Sequence, residues 1–85
     1  MRLKPGIEWQ RVDDEVVALD LATSAYVAVN ESGVVLWPLM AAGTDEEELV
    51  RTLVSHFSVD DGMARADVRA FVESLRSLSL LVDDG

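Results

Sequence analysis

Eighty-five residues carry 7 Lys+Arg against 16 Asp+Glu, a formal net charge of −9, which argues against non-specific nucleic-acid binding because that requires a net basic footprint. The absence of cysteine and the single histidine, His56, exclude disulfides, thiolate chemistry and a multi-histidine metal cluster. With 49% apolar residues the chain can still close one core, so a single domain over 1–85, with its core over 7–82, is expected.

Ile7 to Val12 alternates, with Ile7 and Trp9 set against Glu8 and Gln10, and predicts a first strand. Asp13-Asp14 supplies the turn. Glu15 to Leu21 follows as a second strand, with Val17, Leu19 and Leu21 on one face. After the polar break Ala22-Thr23-Ser24, the β-branched stretch Ala25 to Val29 predicts a third. Short turns between them imply an antiparallel meander.

Asn30 has the chemistry of an N-cap, with Val29 and Val34 spaced as a hydrophobic staple for a helix running to Ala42 and stopped by Gly43. Pro38 lies inside that helix and predicts a kink or break near Trp37. The longest apolar stretch, Val34 to Ala42, is far short of the ~20 residues that span a bilayer. No apolar segment follows the charged N-terminus, so a cytoplasmic protein without a membrane partner is expected.

Thr44-x-x-Glu47 reads as a capping box for a second helix, whose stripe is Leu49, Val50, Leu53, Val54 and Phe57. Asp60 or Asp61 caps a third, from about Asp61 to Ser79, that buries Ala64, Val68, Phe71, Val72, Leu75 and Leu78. Leu80-Leu81-Val82 then packs back before a frayed acidic tail that includes Asp84. The expected fold class is α+β and winged helix-turn-helix-like: an N-terminal three-stranded antiparallel sheet followed by three α-helices.

Catalysis fails on inventory. The acids fall at turns and helix starts, where caps need them, and not as a converging pair with one raised pKa. His56 has no nucleophile or second ligand at a useful spacing, and Gly33, Gly43 and Gly62 form no phosphate-binding loop. No enzyme, no metal and no cofactor is the expectation.

Two binding surfaces remain. Arg65, Arg69 and Arg76 share one flank of the third helix, a stripe open to three readings: a solvated face, contacts to a peptide, or DNA recognition. Ala25-Tyr26-Val27-Ala28-Val29 forms the last strand of a meander and carries no charge or proline, the residues that normally blunt an exposed edge. Such an edge is suited to pairing with a peptide, unless it is short and covered by the third helix or by a second copy of the chain.

Leu19-Asp20-Leu21, the run Ala25-Tyr26-Val27-Ala28-Val29-Asn30-Glu31-Ser32-Gly33 and Leu36-Trp37 resemble the PqqD-like family of leader-recognition domains (RiPP recognition elements). The pattern Ala64-Arg65-Ala66-Asp67-Val68, Phe71-Val72, Leu75 and Leu80-Leu81-Val82 is similar too, so the likeness covers residues 7 to 82. The stretch from Ala25 to Asn30 looks most like the stand-alone leader-binding proteins of lasso-peptide biosynthesis.

The resemblance implies binding of a precursor leader peptide as an antiparallel strand on the third strand, and its presentation to a separate cysteine protease. It implies Ala25, Tyr26, Val27, Ala28 and Val29 as the edge, and Val68, Phe71, Val72 and Leu75 as an apolar wall. Arg69 and Arg76 on the flank, or Asp67, would make polar contacts. Pro38 departs from the family pattern, in which the helix continues. The alternatives are a PqqD-type peptide chaperone of another modified-peptide pathway and a winged-helix DNA-binding regulator.

Overall fold

The computed structural model describes residues 1–83. Strand β1 (Arg2–Leu3) is followed by β2 (Ile7–Val12), β3 (Glu15–Asp20) and β4 (Tyr26–Asn30), then α1 (Ser32–Ala42), α2 (Glu46–Phe57), α3 (Asp61–Ser77) and β5 (Leu81–Val82). The expected architecture is present: β2, β3 and β4 make an antiparallel three-stranded sheet in that order, and three helices follow. Asp13 turns the first hairpin with φ 55, a conformation that Asp tolerates better than most residues.

One element was not expected. The two short terminal strands pair antiparallel, Arg2 with Val82 and Leu3 with Leu81, and form a second, two-stranded sheet. Two-residue strands carry no readable alternation, so only the closed fold reveals them. They lay Leu3 and Leu81 against the core and lead directly from Leu80, which is 3% exposed. Asp84 lies outside the described residues.

The first two helices start one residue later than the sequence expectation, and the third starts where it was expected. Asn30 is not an N-cap: it pairs with Glu15 as the last residue of β4. The cap position falls to Glu31, at φ 52 and ψ −124, with no side-chain capping bond. The strand runs on through Asn30, and the chain turns into the helix at Glu31 instead. The second helix is capped by Asp45, not Thr44: Asp45 Oδ1 accepts from the Glu48 N–H at 2.8 Å, while the Thr44 hydroxyl bonds the Glu48 carboxylate. Glu46, Glu47 and Glu48 fill its first turn, where the helix dipole favours negative charge. Asp60 caps α3, accepting from Met63 N–H at 2.8 Å.

Pro38 does not break α1. The helix is continuous from Ser32 to Ala42, although proline removes the N–H that the Val34 carbonyl would otherwise accept from. Packing outweighs that lost bond, because Leu36, Trp37 and Met40 on the same helix are all 0% exposed. At about 1.5–3 kcal/mol per large apolar side chain buried, three such anchors exceed a single lost hydrogen bond.

The core lies between the sheet and the helices. Val16 and Ala18 from β3 meet Trp37 from α1, Leu49 and Leu53 from α2, and Ala64, Val68 and Leu75 from α3. Trp9 stands edge-on to Trp37 with ring centroids 6.3 Å apart. Phe57 and Leu78, both expected inside, are 42% and 50% exposed. Phe57 is the last residue of its helix and Leu78 lies just past the end of α3, so the chain turns before either side chain reaches the core. Phe71 and Val72, also expected inside, are only half-buried against it.

At the far end of the sheet, Lys4 Nζ lies 2.6 Å from Asp20 Oδ2, and Asp20 is 2% exposed. Asp20 Oδ1 also accepts from the Ala22 N–H at 2.9 Å. The Lys4 bond first, and the Ala22 bond with it, hold the Asp20 carboxyl below its usual 3.8 against the opposing effect of burial.

Candidate functional site

The register of the sheet decides what its edge offers. Asp20 N–H donates to Ala25 O at 2.8 Å, whereas Leu21 N–H donates the other way, to Gly6 O at 3.0 Å. Successive residues of a middle strand address opposite neighbours, so Asp20, Ala18 and Val16 bond toward β4 and their alternates toward β2. In register, Ala18 faces Val27 and Val16 faces Val29. Val27 and Val29 therefore turn their backbone groups inward to β3. Tyr26, Ala28 and Asn30 turn theirs outward.

Among the described residues, β4 pairs with β3 alone. Its side chains alternate as well: Val27 and Val29 are half-buried against the core, while Tyr26, Ala28 and Asn30 are exposed. Beside this open edge runs a cleft of about 510 Å³, with residues 27–33 on one side. The opposite wall is Asp67, Ala70, Phe71, Ser74, Leu75 and Leu78. Apart from Leu75, that wall is one face of α3 at helical spacing, continued to Leu78.

The cleft has a direction. Leu78 shares a small depression with Tyr26 and Val27, and Phe71 approaches the start of α1 at Gly33. The helix α3 thus runs antiparallel to β4, with Asp67 at the Asn30 end and Leu78 at the Tyr26 end.

The residues named from sequence, Arg69 and Arg76 apart, divide into three groups. Val27, Ala28, Val29, Asp67, Phe71 and Leu75 line the cleft. Ala25 and Tyr26 lie beyond its Leu78 end, and Tyr26 is 68% exposed on the outer face of the sheet. Val68 is wholly buried in the core, and Val72 packs against the core without lining the cleft. Asn30, Glu31, Ser32, Gly33, Ala70, Ser74 and Leu78 also line the cleft and were not among the residues expected to bind a peptide. The helical members were reachable from Asp67 and Phe71 by counting three and four residues along α3.

The arginine stripe is occupied from within. Arg65 Nη1 lies 2.8 Å from Glu47 Oε1 and 3.0 Å from Glu46 Oε2, and Arg69 Nε lies 3.0 Å from Glu46 Oε1. Arg76 Nη1 lies 2.6 Å from Asp83 Oδ2. The Arg69 bond holds the Glu46 carboxyl below its usual 4.5, with Arg65 adding to the effect. The fork of Arg65 does the same to Glu47, and its own guanidinium is pushed up in return. The Arg65 and Arg69 pairs tie the first turn of α2 to α3, the Arg76 pair ties α3 to Asp83, and together they leave the stripe electrically balanced.

The charges that face the cleft are of the other sign. Glu31 and Asp67 line its Asn30 end, neither is in an ion pair among the described residues, and none of the lining residues is Lys or Arg. An occupant meets an apolar middle, a backbone ladder and a negative end. Among the described residues no group of three or more His, Cys, Asp or Glu is placed to hold a metal ion, and no helix is long and apolar enough to cross a membrane.

Comparison with known proteins agrees with this architecture. One similar solved structure is TbiB1 in complex with the TbiA(beta) leader peptide, 30% identical, with a TM-score of 0.89 and coverage of 100% of this chain and 99% of that one. Another is a lasso peptide synthetase B1 complexed with the leader peptide, 24% identical, with a TM-score of 0.82 and coverage of 96% of each chain, a likeness of fold. No curated protein matches. Residues 15–81, from the first residue of β3 into β5, match the family described as coenzyme PQQ synthesis protein D, and the chain therefore belongs to the PqqD family.

Proposed function

We propose that this chain binds the leader segment of a ribosomally made precursor peptide by strand addition to β4 and presents it to a separate cysteine protease in lasso-peptide maturation. The observation that carries the reading is the outward N–H and C=O of Ala28, on an edge strand that faces an open cleft walled by α3. TbiB1, alike over the whole chain, holds a leader peptide, and the stretch from Ala25 to Gly33 supports the same reading from sequence.

About four to six backbone hydrogen bonds, each a net ~0.5–1.5 kcal/mol, would supply affinity with little sequence choice. Choice comes from apolar side chains of the peptide that enter the cleft beside Val27, Val29, Phe71 and Leu75. Ordering a flexible leader offsets part of the gain, so the affinity is sub-micromolar to micromolar. The output is local concentration: a held leader keeps its cleavage site near the protease.

The domain, one recognition unit over 1–85, acts by binding and not by catalysis, in the cytoplasm and without a cofactor. Its acids serve elsewhere: Asp45 and Asp60 cap helices, Asp20 pairs with Lys4, and Glu46 and Glu47 pair with arginines. Service to another modified-peptide pathway, as a PqqD-type chaperone, would use the same cleft. A DNA-binding role would need the stripe that Arg65, Arg69 and Arg76 already spend on internal carboxylates.

The test is fluorescence polarisation with a labelled leader peptide encoded beside this gene, and a gel shift with duplex DNA, both at physiological salt. Saturable peptide binding without a DNA shift supports the reading. A peptide titration still flat at about 100 μM overturns it.

A further inference from the structure

The edge of β4 is not held evenly along its length. Ala28 lies between two inward pairs of the ladder, Val27 with Ala18 and Val29 with Val16. Tyr26 lies between Val27 and Ala25, so its outward N–H and C=O depend on how Ala25 is held. Asp20 does that holding: its N–H donates to Ala25 O at 2.8 Å, and its carbonyl accepts from Ser24 N–H at 2.7 Å. Its side-chain Oδ1 accepts from Ala22 N–H at 2.9 Å. These bonds fix a return that includes Ser24 at φ 63, a conformation few residues adopt unaided. The Ala25 N–H is taken by the Thr23 hydroxyl at 3.1 Å, which makes Tyr26 the last free rung of the edge.

Asp20 is itself clamped. Its buried carboxylate lies 2.6 Å from Lys4 Nζ, and the Lys4 N–H donates to Leu80 O at 2.9 Å, just beyond α3. Lys4 thus joins the β3–β4 return to the segment that follows α3. Asp20, Ala25, Tyr26, Leu78 and Leu80 enclose a small depression at this end of the cleft. A peptide that runs antiparallel to β4 has the C-terminal end of its strand there.

We infer that Asp20, clamped by Lys4, is a positioning residue for the bound peptide: it aims the rung at Tyr26 and so decides whether the peptide strand extends past Ala28. The inference rests on the proposed strand addition and deepens it. Removing Lys4 strands a buried carboxylate, which must move toward water and carry the return with it. Ala28 keeps an inward pair on either side and stays aimed. The loss therefore falls on one end of the peptide and spares the other.

The experiment is a truncation series from the C-terminal end of the leader peptide encoded beside this gene, titrated by fluorescence polarisation. The proteins are the wild type, Lys4→Met and the double variant Lys4→Met/Asp20→Asn, each checked for folding by circular dichroism. Lys4→Gln replaces Lys4→Met if that variant does not fold. In the wild type, one deletion step costs about fivefold in affinity, the size expected for the backbone bonds of one rung. In Lys4→Met that step shrinks to about twofold or less, while the peptides already shortened past it bind as they do to the wild type. The double variant removes both charges and keeps an amide oxygen for the Ala22 N–H, so the step returns. Amide exchange reads the rung directly. The long peptide protects both Tyr26 and Ala28 N–H in the wild type, and Ala28 alone in Lys4→Met.

A step of full size in Lys4→Met overturns the positioning role. So does an equal loss for peptides of every length, which marks a contribution to stability alone, or a step that the double variant does not restore. Ala28→Pro, run alongside, separates the two ideas. If it abolishes binding of every peptide while Lys4→Met keeps the step, strand addition stands and the positioning role falls. If Ala28→Pro binds normally, strand addition itself is wrong.

Discussion

A Cβ placed on Gly33 would stand 3.0 Å from the Cβ of Val29 and 3.5 Å from the Phe71 ring. The first turn of α1 thus touches β4 and α3 together, at the point where the two walls of the cleft meet. Gly33→Val should cost about 1–3 kcal/mol of stability from overpacking, measured by urea unfolding. It should also weaken leader binding, because Val29 and Phe71 must move apart. Unchanged affinity in a destabilised variant would separate the cleft from this contact.

Strand addition is tested by proline. Ala28 directs its N–H outward, so Ala28→Pro removes a donor that no strand among the described residues uses, and the domain should stay folded. Leader affinity should fall at least tenfold, since one bond is lost and the ring obstructs the edge. Val27 bonds inward to β3. Val27→Pro should therefore unfold or severely destabilise the domain, read by circular dichroism.

Electrostatic choice should follow Asp67 and not the arginines. Asp67→Lys should weaken leaders with a basic residue at the N-terminal end of the bound segment and strengthen acidic ones, more at low salt. Arg69 is engaged with Glu46 and Arg76 with Asp83. Reversing either to Glu should change leader affinity less than twofold in polarisation titrations while lowering the melting temperature. A large, leader-dependent effect at Arg69 would show that its pair with Glu46 opens on binding.

The strained cap predicts a gain. Glu31 holds φ 52 and ψ −124 without a side-chain capping bond, a region that glycine occupies freely. Glu31→Gly should stabilise the fold by roughly 1 kcal/mol, the relief of strain reduced by the added entropy of the unfolded chain. A melting temperature that falls would contradict it.

Acid should act through Asp20. Its carboxyl titrates below its usual 3.8 in the folded protein, chiefly because Lys4 donates to it, so the unfolded chain takes up the proton more readily. The contribution is complete above the unfolded value and is lost as the pH falls through the folded one. Unfolding midpoints followed from pH 6 to about 2.5 should drop below about pH 4. Lys4→Met should lower stability at neutral pH and make that acid limb shallower.

Much of this protein follows from local chemistry. Alternation at Ile7–Val12, the helical stripe from Leu49 to Leu53 and the caps around residues 45 and 60 each need only neighbours in the chain, and the strands and helices follow from them. The uncharged run from Ala25 to Val29 marked an edge for the same reason: the residues that would guard it are missing from the sequence itself. The rest depended on what came close. Whether Val27 or Ala28 presents the free N–H was a matter of register, set by the bond from Asp20 to Ala25 and invisible to composition. Which face of α3 meets the cleft depended on how that helix lies on the sheet, and this sends Val68 to the core and Asp67 to the opening. The arginine stripe looked free because its partners lie some 20 residues earlier, on α2, for Arg65 and Arg69, and past the end of α3 for Arg76. Periodicity and capping are short-range properties and are written in the sequence; pairing register, helix placement and charge compensation are long-range, and only the packed chain decides them.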